Sequence, residues 1–322
     1  MAELTWGTSS DWDSAQSESN VTHTGEDIGL SDPVIDAFTT VGSHTWTNPG
    51  VSEVEVLIVG GGGGGGGSPH GAGGGAGGLI HRTAYEVSGD ISLTVGTGGA
   101  GGEGDNGNWD TGYGKNGDDS VFDGLTAIGG GGGGAYTSRI SGDYDGRDGG
   151  SGGGATDESQ PGSALQPNSA DGGDGNGSIQ ARVNEYSSGG GGAGEAGDTD
   201  GDSQGGDGID LSGSFGTQYG ENSLFAGGGG GSVYGTTASG PNGRSLGGDG
   251  GGGNGGVEQN DSSSTYHLGE DAVANTGGGG GGSERNDALS SSTDAYGGDG
   301  GSGIVLVKYR PPGSLTTAEK NT

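Results

Sequence analysis

Hydrophobic residues in this chain are gathered into a few short runs, separated by long polar or glycine-rich stretches. In the run Glu53–Val59, charged and apolar residues alternate at first and the rest is wholly apolar. That pattern is typical of a strand that passes from a half-exposed to a buried position. Runs 91–95 and 303–309 are similarly short and rich in β-branched residues. The pattern therefore predicts a module of short strands over about 38–95 and 303–309, with little or no α-helix.

Two of these apolar segments are close neighbours in the sequence. Residues 79–87 and 90–95 are separated by Ser88 and Gly89, and such a dipeptide between strand-like segments favours a tight turn. The sequence predicts that the two segments pair as a β-hairpin.

Glycine dominates the stretches between the strands, with 91 residues in a chain of 322. The longest run, 60–67, directly follows the strand 53–59. Glycine loses more conformational freedom on folding than any other residue, so such a chain is either disordered or held by close backbone packing. The net charge of −33 and a hydrophobic content of 25% favour disorder. The clustering of the apolar residues favours an ordered fold.

The ordered alternative is a bundle of glycine-rich polyproline II helices. Such a helix has three residues per turn and no internal hydrogen bonds, so its N–H and C=O groups need partners from neighbouring chains. Only glycine lets several of these helices approach closely enough to bond laterally. Collagen is excluded because it needs glycine at every third position and abundant proline. We therefore expect a glycine-helix bundle with long polar loops, supported by the strand module.

Composition divides the chain into three parts. Residues 1–37 lack glycine runs and contain Trp6 and Trp12, which favours a separate attachment or oligomerisation segment. Residues 38–309 form the predicted glycine-rich domain, and residues 310–322 a short C-terminal tail.

Acidic residues are spread along the whole chain, with 28 Asp and 15 Glu against 7 Arg and 3 Lys. At molar salt the Debye length falls to about 3 Å and repulsion between such charges largely vanishes, so this pattern favours adaptation to high salt. An ordinary acidic surface is the alternative. Nucleic acid is not expected as a partner because phosphate binding needs a basic patch. No apolar stretch approaches the length of a membrane span, so we expect no membrane insertion.

No constellation of residues predicts catalysis or a cofactor. The five histidines are far apart in the sequence, and GxGxxG matches arise by chance in a chain so rich in glycine. Asp198, Asp200 and Asp202 have the opening spacing of a calcium loop, but Ser203 replaces the turn glycine and the twelfth position is not Glu. These three residues are weak calcium candidates only, and the sequence predicts neither a metal centre nor an enzyme.

Aromatic residues in the polar loops are the more informative candidates. Tyrosine and tryptophan give large contact areas at low entropic cost on binding surfaces built from loops. The alternative is that each ring caps the end of a glycine helix. The predicted receptor-binding candidates are Trp109, Tyr136, Tyr144, Tyr186, Tyr234 and Tyr266.

Several motifs together resemble a known family. They are His44-Thr45-Trp46-Thr47-Asn48-Pro49-Gly50, the glycine run 60–67, Leu93-Thr94-Val95-Gly96 and Gly303-Ile304-Val305-Leu306-Val307. This arrangement over 38–309 resembles the glycine-rich domain of tail-fibre and other structural proteins of tailed viruses, and is similar to glycine-rich fibre-tip adhesins. The resemblance implies a virion protein, on the tail or particle surface and therefore extracellular. Combined with the acidity, it implies a virus of a halophilic host.

Two functional hypotheses follow from the resemblance. The first is a tail-fibre or host-attachment protein whose acidic, tyrosine-bearing loops bind a host-surface glycan or surface-layer protein. It would contact other virion proteins through 1–37 and form a homo-oligomer, a trimer by analogy. The alternative is a purely architectural component, such as a capsid decoration, turret or tail accessory protein, without receptor binding. A calcium-organised secreted repeat protein is a third hypothesis.

Overall fold

A computed structural model of the chain describes residues 32–67, 69–104, 112–136, 145–156, 159–166, 187–200, 203–234, 243–258, 267–285 and 295–312. The expectation of a mainly β protein with little α-helix is confirmed, since these residues contain ten short strands and a single helical turn, α1 (Ser212–Phe215). No helix in these ranges is long and apolar enough to cross a bilayer. The strands are β1 (Val34–Phe38), β2 (Gly42–Trp46), β3 (Glu53–Val59), β4 (Leu79–Glu86), β5 (Ile91–Val95), β6 (Ser120–Phe122), β7 (Leu125–Ala127), β8 (Ile209–Asp210), β9 (Leu224–Phe225) and β10 (Ile304–Tyr309).

Two antiparallel sheets of four strands pack face to face. The first has the order β1-β10-β3-β4 and the second β2-β5-β6-β7. Successive side chains of a strand point to opposite faces, so Val56 and Val305 of the first sheet meet Trp46 and Phe122 of the second in one buried core. The strand module starts at Val34, within the last residues of segment 1–37.

A second core covers the other face of the first sheet. Leu57 of β3 and Leu306 of β10 pack there with Phe215 of α1 and Phe225 of β9. The two central strands are thus buried on both faces, which explains why their sequences contain continuous apolar runs.

The predicted hairpin of 79–87 and 90–95 is wrong. β4 pairs with β3, whereas β5 pairs with β2 in the other sheet. The β3–β4 ladder continues into the glycine segments, where the Gly60 N–H donates to the Gly78 carbonyl at 2.9 Å. The turn at Ser88 and Gly89 therefore connects strands of two different sheets and does not close a hairpin.

The glycine run 60–67 is the axis of a bundle of polyproline II helices. Its successive N–H groups donate to three neighbouring segments in a repeating order, at N···O distances of 2.6–3.0 Å. Every third group meets the same segment: Gly60, Gly63 and Gly66 donate to the helix 71–78. Three residues per turn with lateral bonds only is the polyproline II geometry adopted by glycine, so the predicted bundle is present. The other two acceptor segments are 112–118 and 295–303.

The carbonyl groups of 60–67 accept hydrogen bonds from three further segments, so this helix has six bonded neighbours. Its carbonyl partners are 96–102, 128–135 and 277–284. Helix 71–78 is surrounded in the same way, with 187–193 and 226–233 among its partners. This lattice pairs main-chain groups that would be costly to bury alone.

Most glycine positions inside this lattice leave no room for a side chain, although the buried Ala72 and Ala76 of helix 71–78 are accommodated. A Cβ atom built on Gly64 would lie 2.1 Å from the Ala100 carbonyl oxygen, and one on Gly74 would lie 2.2 Å from the Gly63 oxygen. Real Cβ atoms essentially never approach other heavy atoms within 3.0 Å. Contiguous glycine is therefore a steric requirement in the run 60–67, where a Cβ atom at any position would meet main-chain atoms of a neighbouring helix.

At the outside of the bundle, aspartate side chains accept hydrogen bonds from N–H groups that have no carbonyl partner among the described residues of neighbouring helices. The Asp299 carboxylate accepts from the Gly101 N–H at 2.8 Å, and the Asp271 carboxylate accepts from the Asp299 N–H at 2.8 Å. Asp119 accepts from the Gly129 N–H in the same way, also at 2.8 Å. Aspartate therefore has a structural role in this fold, in addition to its contribution to net charge.

The bundle has two chemically different ends. Strands β3, β5 and β7 lead directly into glycine segments, and other glycine segments return to β4, β6 and β10. The opposite end, near Gly67, Gly71 and Ser283, is remote from the sheets, and we call it the distal end. Both ends of the described chain lie on the far side of the sheets, because Val34 of β1 pairs with Tyr309 of β10. We call this side the basal end.

Candidate functional site

Two of the six predicted aromatic candidates belong to the described residues, and both lie at the distal end. Tyr136 follows the glycine segment 128–135, and its N–H donates to the Pro69 carbonyl at 3.3 Å. Tyr234 follows the segment 226–233. Trp109, Tyr144, Tyr186 and Tyr266 lie outside the described residues.

The structure brings Tyr136 and Tyr234 together around one histidine. The His70 ring centroid is 5.8 Å from that of Tyr136, with an angle of 79° between the ring planes. The corresponding values for Tyr234 are 5.7 Å and 73°. These near-perpendicular arrangements are favourable because the positive edge of one ring meets the negative face of another. We call His70, Tyr136 and Tyr234 the distal aromatic cluster.

A fully buried carboxylate lies beneath the cluster. Glu284 has 0% relative solvent exposure, and its Oε2 lies 2.9 Å from Nδ1 of His70. The Ser232 hydroxyl donates to the same oxygen at 3.1 Å, and the Arg285 backbone N–H donates to Oε1 at 2.8 Å. The Glu284 carboxylate thus has hydrogen-bond partners on both of its oxygens.

The helix lattice explains this convergence of residues distant in the sequence. His70 lies in the turn between helices 60–67 and 71–78, while Glu284 and Ser232 lie at the distal ends of helices 277–284 and 226–233. Helix 71–78 is hydrogen-bonded directly to the helices 60–67, 226–233 and 277–284. The Ser187 hydroxyl also holds the turn by donating to the His70 carbonyl at 2.9 Å.

Opposing effects set the pKa of His70. Burial of the imidazole lowers its pKa by disfavouring the charged ring, but the hydrogen bond and the negative charge of Glu284 outweigh this effect. Glu258 also raises the pKa and Arg285 lowers it. The net pKa is raised above its ordinary value, so His70 and Glu284 form an ion pair over a wider range of pH than a solvated histidine would.

The geometry is suited to binding, and it does not form a hydrolase triad. The Ser232 hydroxyl contacts the carboxylate and not the imidazole, so among the described residues no serine here is activated by His70. The His70 side chain keeps 38% relative exposure and Tyr234 37%. The cluster thus presents an imidazole between two aromatic rings at an accessible surface.

A family model described as a glycine-rich domain matches residues 39–310. The chain belongs to this glycine-rich domain family. A search of curated proteins found no match. The matched range covers the sheets, the helix bundle and the distal aromatic cluster, so the candidate site is part of the glycine-rich domain itself.

The weak calcium candidates of this glycine-rich domain have different surroundings. The carboxylate of Asp200 lies with those of Glu195 and Asp207, with ligand oxygens within 4.8 Å of one another. Asp198 instead accepts a hydrogen bond from the Gly189 N–H at 3.2 Å, and Asp202 lies outside the described residues. Burial raises the pKa of Asp207, the hydrogen bond that it accepts from the Asp249 N–H lowers it, and the charges of Asp249, Glu195 and Asp200 raise it again, so that the net pKa is raised. The charged form of Asp207 is therefore unfavourable in these surroundings.

Sequence reasoning missed His70 and Glu284. The two are 214 positions apart, and neither belongs to a recognisable motif. The available signal was their position at an end of the bundle: His70 lies between two long glycine runs, and Glu284 comes two residues after another.

Proposed function

We propose that this glycine-rich domain protein is a virion structural protein of the tail-fibre or host-attachment type, from a virus of a halophilic host. In this proposal the basal end attaches to the particle and the distal end contacts the cell surface. The observation that carries the proposal is the separation of the two ends: both described chain ends are basal, and the distal aromatic cluster is at the opposite extremity.

The basal end has the features of an attachment region. A groove of about 610 Å³ is lined there by Pro33, Glu53, Tyr309 and Pro312, among other residues. Pro33 and Pro312, which line this groove, lie at or next to the two ends of the described chain. Contacts with other virion proteins through the N-terminal segment would therefore act at the end remote from the cluster.

The glycine bundle fits the role of a rigid spacer between the two ends. At about 3.1 Å per residue, the run 60–67 extends about 25 Å. A rigid spacer keeps the binding residues pre-organised, which reduces the entropy lost on binding. Several copies on one particle would turn weak individual contacts with a glycan or surface-layer protein into firm attachment, through effective concentration.

Binding to host cells tests the proposal. Fluorescently labelled full-length protein is incubated with halophilic host cells at molar salt, and bound fluorescence is measured by flow cytometry. We expect the binding to be saturable, and we expect the added protein to inhibit infection of the same cells. The double variant Tyr136→Ala/Tyr234→Ala should lose binding, whereas Tyr296→Ala, which removes another exposed tyrosine, should retain it. Absence of wild-type binding, or equal binding by the double variant, would contradict the proposal.

The architectural role is the second candidate, because the six-neighbour packing of helix 60–67 would serve a rigid structural part equally well. Quantitative mass spectrometry of purified particles separates the two roles. A handful of copies per particle supports attachment, whereas hundreds of copies together with no cell binding support architecture.

A further inference from the structure

The buried Glu284 fixes the hydrogen-bonding character of the distal aromatic cluster. Its oxygens accept from Ser232, from the Arg285 backbone and from Nδ1 of His70. Because a carboxylate in these contacts can only accept, Nδ1 of His70 carries a hydrogen whether the ring is charged or neutral.

The opposite nitrogen of the ring therefore changes character with protonation. Nε2 of His70 is a donor when the imidazole is charged and an acceptor when it is neutral. No described residue makes a hydrogen bond to Nε2, and the ring is partly exposed between Tyr136 and Tyr234. Within the described part of the chain, Nε2 is thus a polar atom that the cluster can offer to a ligand.

We propose that the distal aromatic cluster binds a neutral pyranose, which packs on the exposed ring of Tyr234 and hydrogen-bonds to Nε2 of His70. The inference deepens the proposed function, on which it rests, by naming the ligand class. The C–H face of a pyranose is apolar and matches an aromatic face. Its hydroxyl groups both donate and accept, so a neutral sugar fits Nε2 in either charge state.

Electrostatics distinguishes neutral from acidic sugars. A carboxylate or sulfate only accepts hydrogen bonds, so it would suit Nε2 only when His70 is charged. Molar salt screens the distant charges of the chain, but it screens a buried charge in contact with the ring much less. Glu284 is such a charge, and the negative charge of Glu258 also acts on the imidazole, with Arg285 as the opposing cation. A neutral ligand avoids this repulsion.

An array of neutral and uronic-acid-containing oligosaccharides, probed with the full-length protein at molar salt, tests the inference. Binding is measured at pH 5 and pH 9. We expect at least one neutral oligosaccharide to bind, with affinities at the two pH values within about threefold, and the acidic sugars to bind at least about tenfold more weakly. Tyr234→Ala should lower the affinity about tenfold or more, while Tyr234→Phe, which keeps the ring, and Tyr296→Ala should not.

Three outcomes would overturn the inference. Preferential binding of acidic sugars that disappears at pH 9 would assign an anionic ligand. Neutral-sugar binding that is unchanged in Tyr234→Ala would place the ligand elsewhere. Host-cell binding without binding of any sugar would point to a protein receptor, and would leave the proposed attachment function standing. Failure of that function is distinguishable, because wild-type protein would then bind neither sugars nor cells.

Discussion

Replacing Gly64 by alanine is the most direct test of the glycine lattice. Gly64 lies in the central helix, where its N–H donates to the Lys115 carbonyl and its carbonyl accepts from the Gly133 N–H, both at 2.9 Å. The new Cβ would lie 2.1 Å from the Ala100 oxygen and 2.5 Å from the Ala100 carbonyl carbon. Both contacts are with main-chain atoms, so no side-chain rotation relieves them.

The loss of stability in Gly64→Ala can be estimated from the distance that the neighbouring segment must move. Ordinary contact begins at 3.4 Å, so the segment 96–102 must move by about 1.3 Å (3.4 minus 2.1) away from the central helix. That movement disrupts the bonds from Gly99 to Gly62 and from Gly102 to Gly65, now 2.9 and 2.8 Å long. Overpacking costs about 1–3 kcal/mol and each lost hydrogen bond about 1 kcal/mol, so Gly64→Ala should destabilise the protein by about 3–5 kcal/mol. Typical domains have a total stability of about 5–15 kcal/mol.

Urea unfolding of Gly64→Ala, compared with Gly213→Ala, measures this loss. Gly213 lies in α1, and an added Cβ there meets nothing within 4 Å. We expect Gly213→Ala to be neutral or to gain up to about 1 kcal/mol from helix propensity. In the wild type, amides of 60–67 should exchange hydrogen only through global unfolding. A Gly64→Ala variant within about 0.5 kcal/mol of wild type, or rapid exchange throughout 60–67 in the native protein, would refute the lattice argument.

Three further predictions concern the carboxylates and His70. Asp299→Ala should lower the free energy of unfolding by about 1 kcal/mol, whereas Asp299→Asn, which keeps the acceptor for the Gly101 N–H, should lose less than half of that in the same urea titration. Asp207→Asn should raise Tm in dilute buffer at pH 7, because the raised pKa of Asp207 marks its charged form as destabilising, and calorimetry at molar salt should show a smaller gain through screening. The raised pKa of His70 means that its pairing with Glu284 contributes fully below pH about 6.5 and is lost as pH rises through the folded-state pKa. The stability difference between wild type and His70→Gln should therefore shrink from pH 5 to pH 9, and a constant difference would contradict the assigned pairing.

The local elements were predictable because apolar patterning and glycine each have a direct physical meaning. Strands β3, β5 and β10 follow from their short apolar runs, and the bundle follows from the absence of side chains. The partners of each glycine run were not predictable, since the runs are chemically nearly identical. The pairing of the strands was not predictable either, as the mistaken hairpin of 79–87 and 90–95 shows.

The candidate site was predictable only in part for the same reason. Tyr136 and Tyr234 could be selected as exposed aromatic residues in polar segments. Their convergence on His70, and the presence of Glu284 beneath it, depend on which glycine helices are adjacent. Lattice adjacency brings together residues that are 214 positions apart, and no periodicity or spacing in the sequence records it.

The rotation of hydrogen-bond partners along helix 60–67 limits how the length of such a run can change during evolution. Loss of a single glycine would turn every later N–H by a third of a revolution, so that each would face the wrong neighbour. Loss or gain of three residues would restore every pairing. Among homologous proteins we therefore expect the shaft to lengthen or shorten in three-codon steps, made jointly in adjoining runs, while the polar connections at its tip vary in length without this restriction.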